Sequence, residues 1–235
     1  MRFATPLVPA RLLRRYKRFL ADCVVEATGE EVVAHCANSG SMLSLARPGA
    51  RVWLSKSDDP KRKLAWSFVL EETRAGACVC IDTARPNAIV AEAILAGEIP
   101  ALAGYARLRR EVKYGKNSRI DILLEDDAKG SCWVEVKNTT LSREPGLAEF
   151  PDAVTARGAK HLDELAARVA LGDRAVMVYL VNRPDCDRFA LAEDVDPAYA
   201  RAFRAARAAG VEAIALRAAV DPDGIEIVGE VEMLA

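Results

Sequence analysis

The feature that most narrows what this chain can become is the run Trp133-Val134-Glu135-Val136-Lys137-Asn138, in which apolar and charged residues alternate. In a β-strand successive side chains leave on opposite faces, so Val134 and Val136 point to a core while Glu135 and Lys137 share the other face. An earlier run, Arg119-Ile120-Asp121-Ile122-Leu123-Leu124, puts Asp121 at the polar start of a strand that then turns apolar. The turn Ala128-Lys129-Gly130 sends the chain back antiparallel, which sets Asp121 against the Glu135 to Lys137 segment to within about two residues. Alternation of this kind also describes any half-buried strand, so alone it does not distinguish a site from a solvated face.

Neighbouring segments add weight. Residues 87–97 read as a short helix with Asn87 as its cap, Gly97 as its stop and Glu92 as its single charge. A carboxylate on so apolar a helix is costly to bury alone, so Glu92 needs Arg85, Arg107 or a metal shared with Asp121 and Glu135. Downstream, a helix near 155–171 buries Leu162, Leu165, Ala166 and Val169, which leaves Arg157, Lys160, His161 and Glu164 on its other face. The predicted order from residue 83 is helix 88–96, strands near 105–113, 119–125 and 132–137, helix 155–171, strand 174–181, helix 197–209 and strand 213–217. That order describes a mixed α/β core. Residues 1–82 instead read as short strands split by Gly, Asn and Ser clusters, a small all-β barrel or sandwich. Thr83-Ala84-Arg85-Pro86 is the connector, with Pro86 blocking helix just before Asn87.

At 235 residues and 51% hydrophobic, the chain has ample material for a packed core. Its net charge of −1 hides an imbalance: residues 1–119 carry 20 Lys+Arg against 12 Asp+Glu, and residues 120–235 carry 13 against 22. A polyanion held by the basic half and presented to an acidic site fits this layout; an interdomain or homodimer contact is the other account. Two basic clusters stand out. Arg11, Arg14, Arg15, Lys17 and Arg18 surround Tyr16 and Phe19, and Lys61, Arg62 and Lys63 follow a turn; cations between aromatics suit phosphates and stacked bases. Asn38-Ser39-Gly40-Ser41 reads as a turn with Gly40 at positive φ, and His35 as a satisfied strand histidine. The six cysteines form no Cys-x-x-Cys pair, which argues against a zinc cage and for free thiols. No apolar run approaches the roughly 20 residues of a membrane span, and no signal peptide opens the chain, so a cytoplasmic protein is expected. Aromatics are 6% of residues, too few for the platforms of a sugar site, and no helix-turn-helix is visible.

A helical Glu, then Asp, then Glu-x-Lys after a hairpin, then a helix resembles the PD-(D/E)XK nuclease pattern. More specific words surround it: Arg109 to Asp121 (RREVKYGKNSRID), Val134 to Asn138, Phe150 to His161 (FPDAVTARGAKH), Leu13 to Asp22, Ala34 to Met42 and Pro60 to Lys63. They resemble the sugar fermentation stimulation protein A (SfsA) family across essentially the whole chain, with departures at Ala37, Ser39 and Asp59. The resemblance implies an OB-fold-like barrel over 1–82 and a PD-(D/E)XK nuclease-like α/β domain over 83–235, a mixed sheet flanked by helices. It implies a catalytic set of Asp121, Glu135, Lys137 and Glu92. Glu92, Asp121, Glu135 and the Val136 carbonyl would hold Mg²⁺ or Mn²⁺, with Lys137 positioning or deprotonating the attacking water. Arg14, Arg15, Tyr16, Lys17, Arg18, Lys61, Arg62, Lys63, Arg119, Asn138, Arg157, Lys160 and His161 would contact DNA or RNA. Two functions stay open: a metal-dependent nuclease, and a non-catalytic DNA-binding regulator of sugar (maltose) metabolism with a vestigial site.

Overall fold

The structure, a computed structural model, describes residues 1–114 and 118–234. Six strands open the chain: β1 (Val8–Tyr16), β2 (Leu20–Val25), β3 (Glu31–Cys36), β4 (Arg51–Lys56), β5 (Trp66–Glu72) and β6 (Cys78–Cys80). They pair in the order β3-β2-β1-β4-β5-β6, and β3 also runs parallel to β5, which closes five of them into a barrel. Alternation selects its inside. Leu12, Cys23, Ala34, Val52, Leu54 and Phe68 are fully buried, while Arg14, Asp22 and Val33 face out. The small all-β N-terminal unit is therefore an OB-like barrel, as expected; β5 and β6 were not anticipated from the sequence.

The chain continues through α1 (Pro86–Leu95), β7 (Arg107–Tyr114), β8 (Ser118–Asp126), β9 (Gly130–Thr139), β10 (Leu141–Glu144), β11 (Gly146–Phe150), α2 (Ala156–Ala170), β12 (Arg174–Val181), β13 (Cys186–Leu191), α3 (Pro197–Ala208), β14 (Glu212–Asp221), β15 (Gly224–Glu230) and β16 (Glu232–Leu234). The main sheet is mixed, in the order β15-β14-β12-β9-β8-β7, with β12 parallel to both β9 and β14. Central β12 is buried on both faces, so its sequence is a continuous apolar run. Val176, Val178 and Leu180 pack under α1, whereas Ala175, Met177, Tyr179 and Val181 pack under α2 and α3. Each of the Val, Leu and Met side chains taken from water contributes about 1.5–3 kcal/mol. A second sheet, β10-β11-β13-β16, lies beside these helices and was not foreseen.

Two details of α1 differ from expectation. Pro86 is its first residue rather than a block before it, because a missing N–H costs nothing in the first turn. Asn87 is inside the helix, not its cap, and its side chain is free to reach elsewhere.

Candidate active site

A cleft of about 760 Å³ opens where the barrel meets the main sheet. The barrel supplies Arg15, Arg18 and the loop from Asn38 to Ser41; α1 supplies Asn87; β8 and β9 supply Asp121 and Glu135 to Asn138; α2 supplies Arg157 and His161.

The floor of the cleft is a fork between two strands. β8 and β9 pair antiparallel from Asp126↔Gly130 to Ile122↔Val134, and one further step would set Asp121 against Glu135. The ladder stops there. Ile120 and Ile122, two residues apart, join different cores, so β8 turns over at Asp121. Opposite, Glu111 takes a positive φ of 54°. The Val136 N–H, left without a strand partner on that side, donates to Asp121 Oδ2 at 2.7 Å. A residue in an extended strand directs its N–H and C=O to the same edge, so the Val136 carbonyl also faces the fork.

Asp121 Oδ1 accepts from Asn87 Nδ2 at 2.7 Å. Glu135 is almost wholly buried, and its Oε1 accepts from Lys137 Nζ at 2.7 Å and from His161 Nδ1. The proton on His161 is assigned by this network: Arg157 Nε donates to Nε2 at 3.3 Å, which leaves Nδ1–H to face Glu135. Glu135 Oε2 is buried and accepts nothing from the protein.

These surroundings push the two carboxyls apart. Burial first, and the Glu135 charge second, raise Asp121 to about 6, and the Val136 N–H, Lys137 and Asn87 reverse this only in part. Burial works the same way on Glu135, but Lys137 and His161 outweigh it and hold that carboxyl below its usual range. The result is one firmly anionic carboxylate beside one that keeps its proton nearly to neutrality.

Several expected residues lie elsewhere. Glu92 is 60% exposed on the far side of α1, 3.2 Å from the Met1 ammonium, and borders a different cavity. Five residues separate it from Asn87, a rotation of about 140° around the helix, so one of the two turns away when the other meets Asp121. Neither expected cation takes it: Arg85 pairs with Asp82 and Arg107 with Asp127. Among the described residues no group of three or more His, Cys, Asp or Glu side chains is arranged to hold a metal ion. The expected three-carboxylate set is thus reduced to Asp121 and Glu135.

His161, expected to meet a phosphate, is 4% exposed and is spent on Glu135. Arg15 lines the cleft, but its guanidinium donates to the carbonyls of Asn38, Gly40, Ser41 and Arg18, so it staples the barrel loops together. Arg119, Lys160, Lys61, Arg62 and Lys63 are exposed outside the cleft wall, with Lys160 on Ser118 and Glu164 and Arg62 on Ser67. Arg14, Tyr16 and Lys17 sit on the outer barrel, and Asn138 and Arg157 border the cleft. Gly40 does not take a positive φ. A Cβ there would fall 2.5 Å from an Asp152 oxygen, so any larger residue would have to displace that carboxylate. Asn87, read as a helix cap, and Asp152, inside the run Phe150 to His161, carried no sequence signal of a role in the cleft.

Comparison with known proteins now bears on this arrangement. The SfsA N-terminal OB domain family matches residues 13–81, and the sugar fermentation stimulation protein RE domain family matches residues 84–224. The chain belongs to the SfsA family. It is 63% identical to the sugar fermentation stimulation protein homolog of Rhodospirillum centenum, over 97% of each chain. The homolog of Azorhizobium caulinodans is 60% identical over 100% of both. The structure of Pyrococcus furiosus SfsA in complex with Ca²⁺ superposes with a TM-score of 0.90 at 29% identity, covering 100% of this chain and 98% of that one.

Proposed function

We propose that this SfsA-family chain binds DNA and hydrolyses its phosphodiester bonds with Mg²⁺ or Mn²⁺ in the cleft. The observation carrying this reading is the meeting of Asp121, Glu135, Lys137 and the unpaired edge of Val136 at the fork of β8 and β9. The donor set suits a hard divalent ion. Glu135 Oε2 is buried without a donor, Asp121 adds a second carboxylate and Val136 a carbonyl. An ion of the Mg²⁺ type needs only one or two carboxylates and keeps several waters. The Pyrococcus furiosus relative is in complex with Ca²⁺, itself a hard divalent ion that takes oxygen ligands, which supports this reading.

When bound, the ion would supply charge on the phosphoryl oxygens and a more acidic water. The protein's own groups do the rest. Lys137, anchored on Glu135, presents an ammonium at the cleft floor to orient the attacking water and stabilise an oxyanion. His161 and Arg157 hold Glu135 in place, and Arg18 places a cation at the barrel rim for flanking phosphates.

The test is incubation of purified protein with supercoiled plasmid, linear duplex, single strands and RNA, each with Mg²⁺, Mn²⁺ or EDTA. Metal-dependent cleavage that falls about a hundredfold or more in both Glu135→Ala and Lys137→Ala is the expected result. One observation favours the second reading, a non-catalytic DNA-binding regulator of sugar metabolism. Glu135 Oε1 is already engaged by Lys137 and His161, and Glu92 is absent from the site. Salt-sensitive binding without cleavage by any metal would select it.

A further inference from the structure

We infer that the outer face of the barrel is a stacking platform for an unpaired nucleic-acid strand, which it leads over the β1–β2 turn into the cleft. This rests on the nucleic-acid reading above and adds the strand type. The registers define the platform. Tyr16 pairs with Leu20, Leu20 with His35, and His35 with Ser67, so these four form one row across β1, β2, β3 and β5 on the face opposite the buried Ala21, Ala34 and Cys36.

Phe19, 46% exposed, lies over this row with its ring stacked on His35 at 6.5 Å and 19°. The Arg14 guanidinium sits 4.8 Å over the Tyr16 ring. Cations rim the rings: Lys17 and Arg18 in the turn, with positive φ of 49° and 64°, and Arg62 reaching Ser67 at 2.8 Å. The acidic neighbour Asp22 is held by Arg14 at 2.7 Å. Arg18 is at once next to Phe19 and part of the cleft wall, which joins platform to cleft.

The exposed Phe19 ring, with half-buried His35 beneath it, half-buried Tyr16 beside it and cations along the border, matches a strand whose bases are unstacked and whose phosphates run alongside. A duplex hides its base faces and offers such rings nothing to cover. An apolar protein surface would find no use for the surrounding positive charge.

The experiment measures fluorescence anisotropy of the full chain in EDTA with a labelled oligothymidine and a labelled duplex of equal length. Oligothymidine should bind more tightly than duplex. Phe19→Ala should weaken oligothymidine about tenfold, leave duplex affinity unchanged, and be rescued by Phe19→Trp. His35→Ala should weaken oligothymidine in the same sense, and an unchanged melting temperature for both variants shows the barrel intact. Duplex binding with no preference for the single strand and no effect of Phe19→Ala overturns the platform and leaves the DNA-binding reading standing. Failure of both probes to bind overturns the two together.

Discussion

At the scale of single residues, the site depends on two carboxyls a short distance apart that titrate differently. Asp121 keeps its proton to about pH 6, against an ordinary value of 3.8. Between those values the folded chain binds more protons than the unfolded one, so stability falls as pH rises through this window, and the full penalty stands above pH 6. Asp121→Asn in EDTA should therefore be more stable than the parent by roughly 2–3 kcal/mol at pH 8, and near parity at pH 3.5, in urea unfolding. Asn87 can turn its amide oxygen toward the new side chain. The same substitution should abolish any metal-dependent cleavage. Asp121, Glu135 and Lys137 were legible because a tight turn fixes hairpin register. Glu92 and Asn87 were not, because α1 is apolar on nearly every side and such a helix carries no stripe from which its rotation can be read. The partner Glu92 did find is the chain's own first amine, which a search among Lys and Arg side chains does not reach.

At the scale of elements, α2 positions Arg157 and His161, and its first turn is tightly specified. Thr155 caps it by accepting from the Gly158 N–H at 3.0 Å. A Cβ on Gly158 would meet Thr155 at 2.9 Å and Tyr199 of α3 at 3.0 Å. Gly158→Ala should thus lower the melting temperature even though alanine ordinarily favours a helix by about 1 kcal/mol. Thr155→Ala should cost about 1 kcal/mol through the lost cap, measured by chemical denaturation. The principal helices and five strands of the main sheet were readable from period and punctuation to within a few residues; the edge strand β15 (Gly224–Glu230) was not. The β10-β11-β13-β16 sheet was not. Its strands are three to six residues long, and runs such as Leu141-Ser142-Arg143-Glu144 pair only because distant segments meet them.

At the scale of the whole molecule, the barrel wall of the cleft is strapped to the segment between β11 and α2. Ser41 donates to the Asp152 carbonyl, and the buried Met42 N–H donates to Asp152 Oδ2 at 2.8 Å. Asp152→Ala should cost about 1–3 kcal/mol for the orphaned donor and speed amide exchange across residues 38–46, whereas Asp152→Asn should keep most of the protection. Binding of any nucleic acid should weaken with salt, with a logarithmic slope of about 0.9 per duplex phosphate and about 0.7 per single-strand phosphate contacted. The uneven charge of the two halves of the sequence raised the expectation of a polyanion, but which cations face the cleft depends on folding. Arg15 is consumed by carbonyls, and Lys61 to Lys63 lie outside.

The parting of β8 from β9 has a consequence for how such a protein can change. Where two strands separate inside a sheet, polar main-chain groups stand exposed in a frame whose flanks stay rigid. A new ligand can be accommodated by altering the few side chains at that split, with no rearrangement of what lies on either side. Fold and chemistry can therefore drift at different rates in proteins built this way.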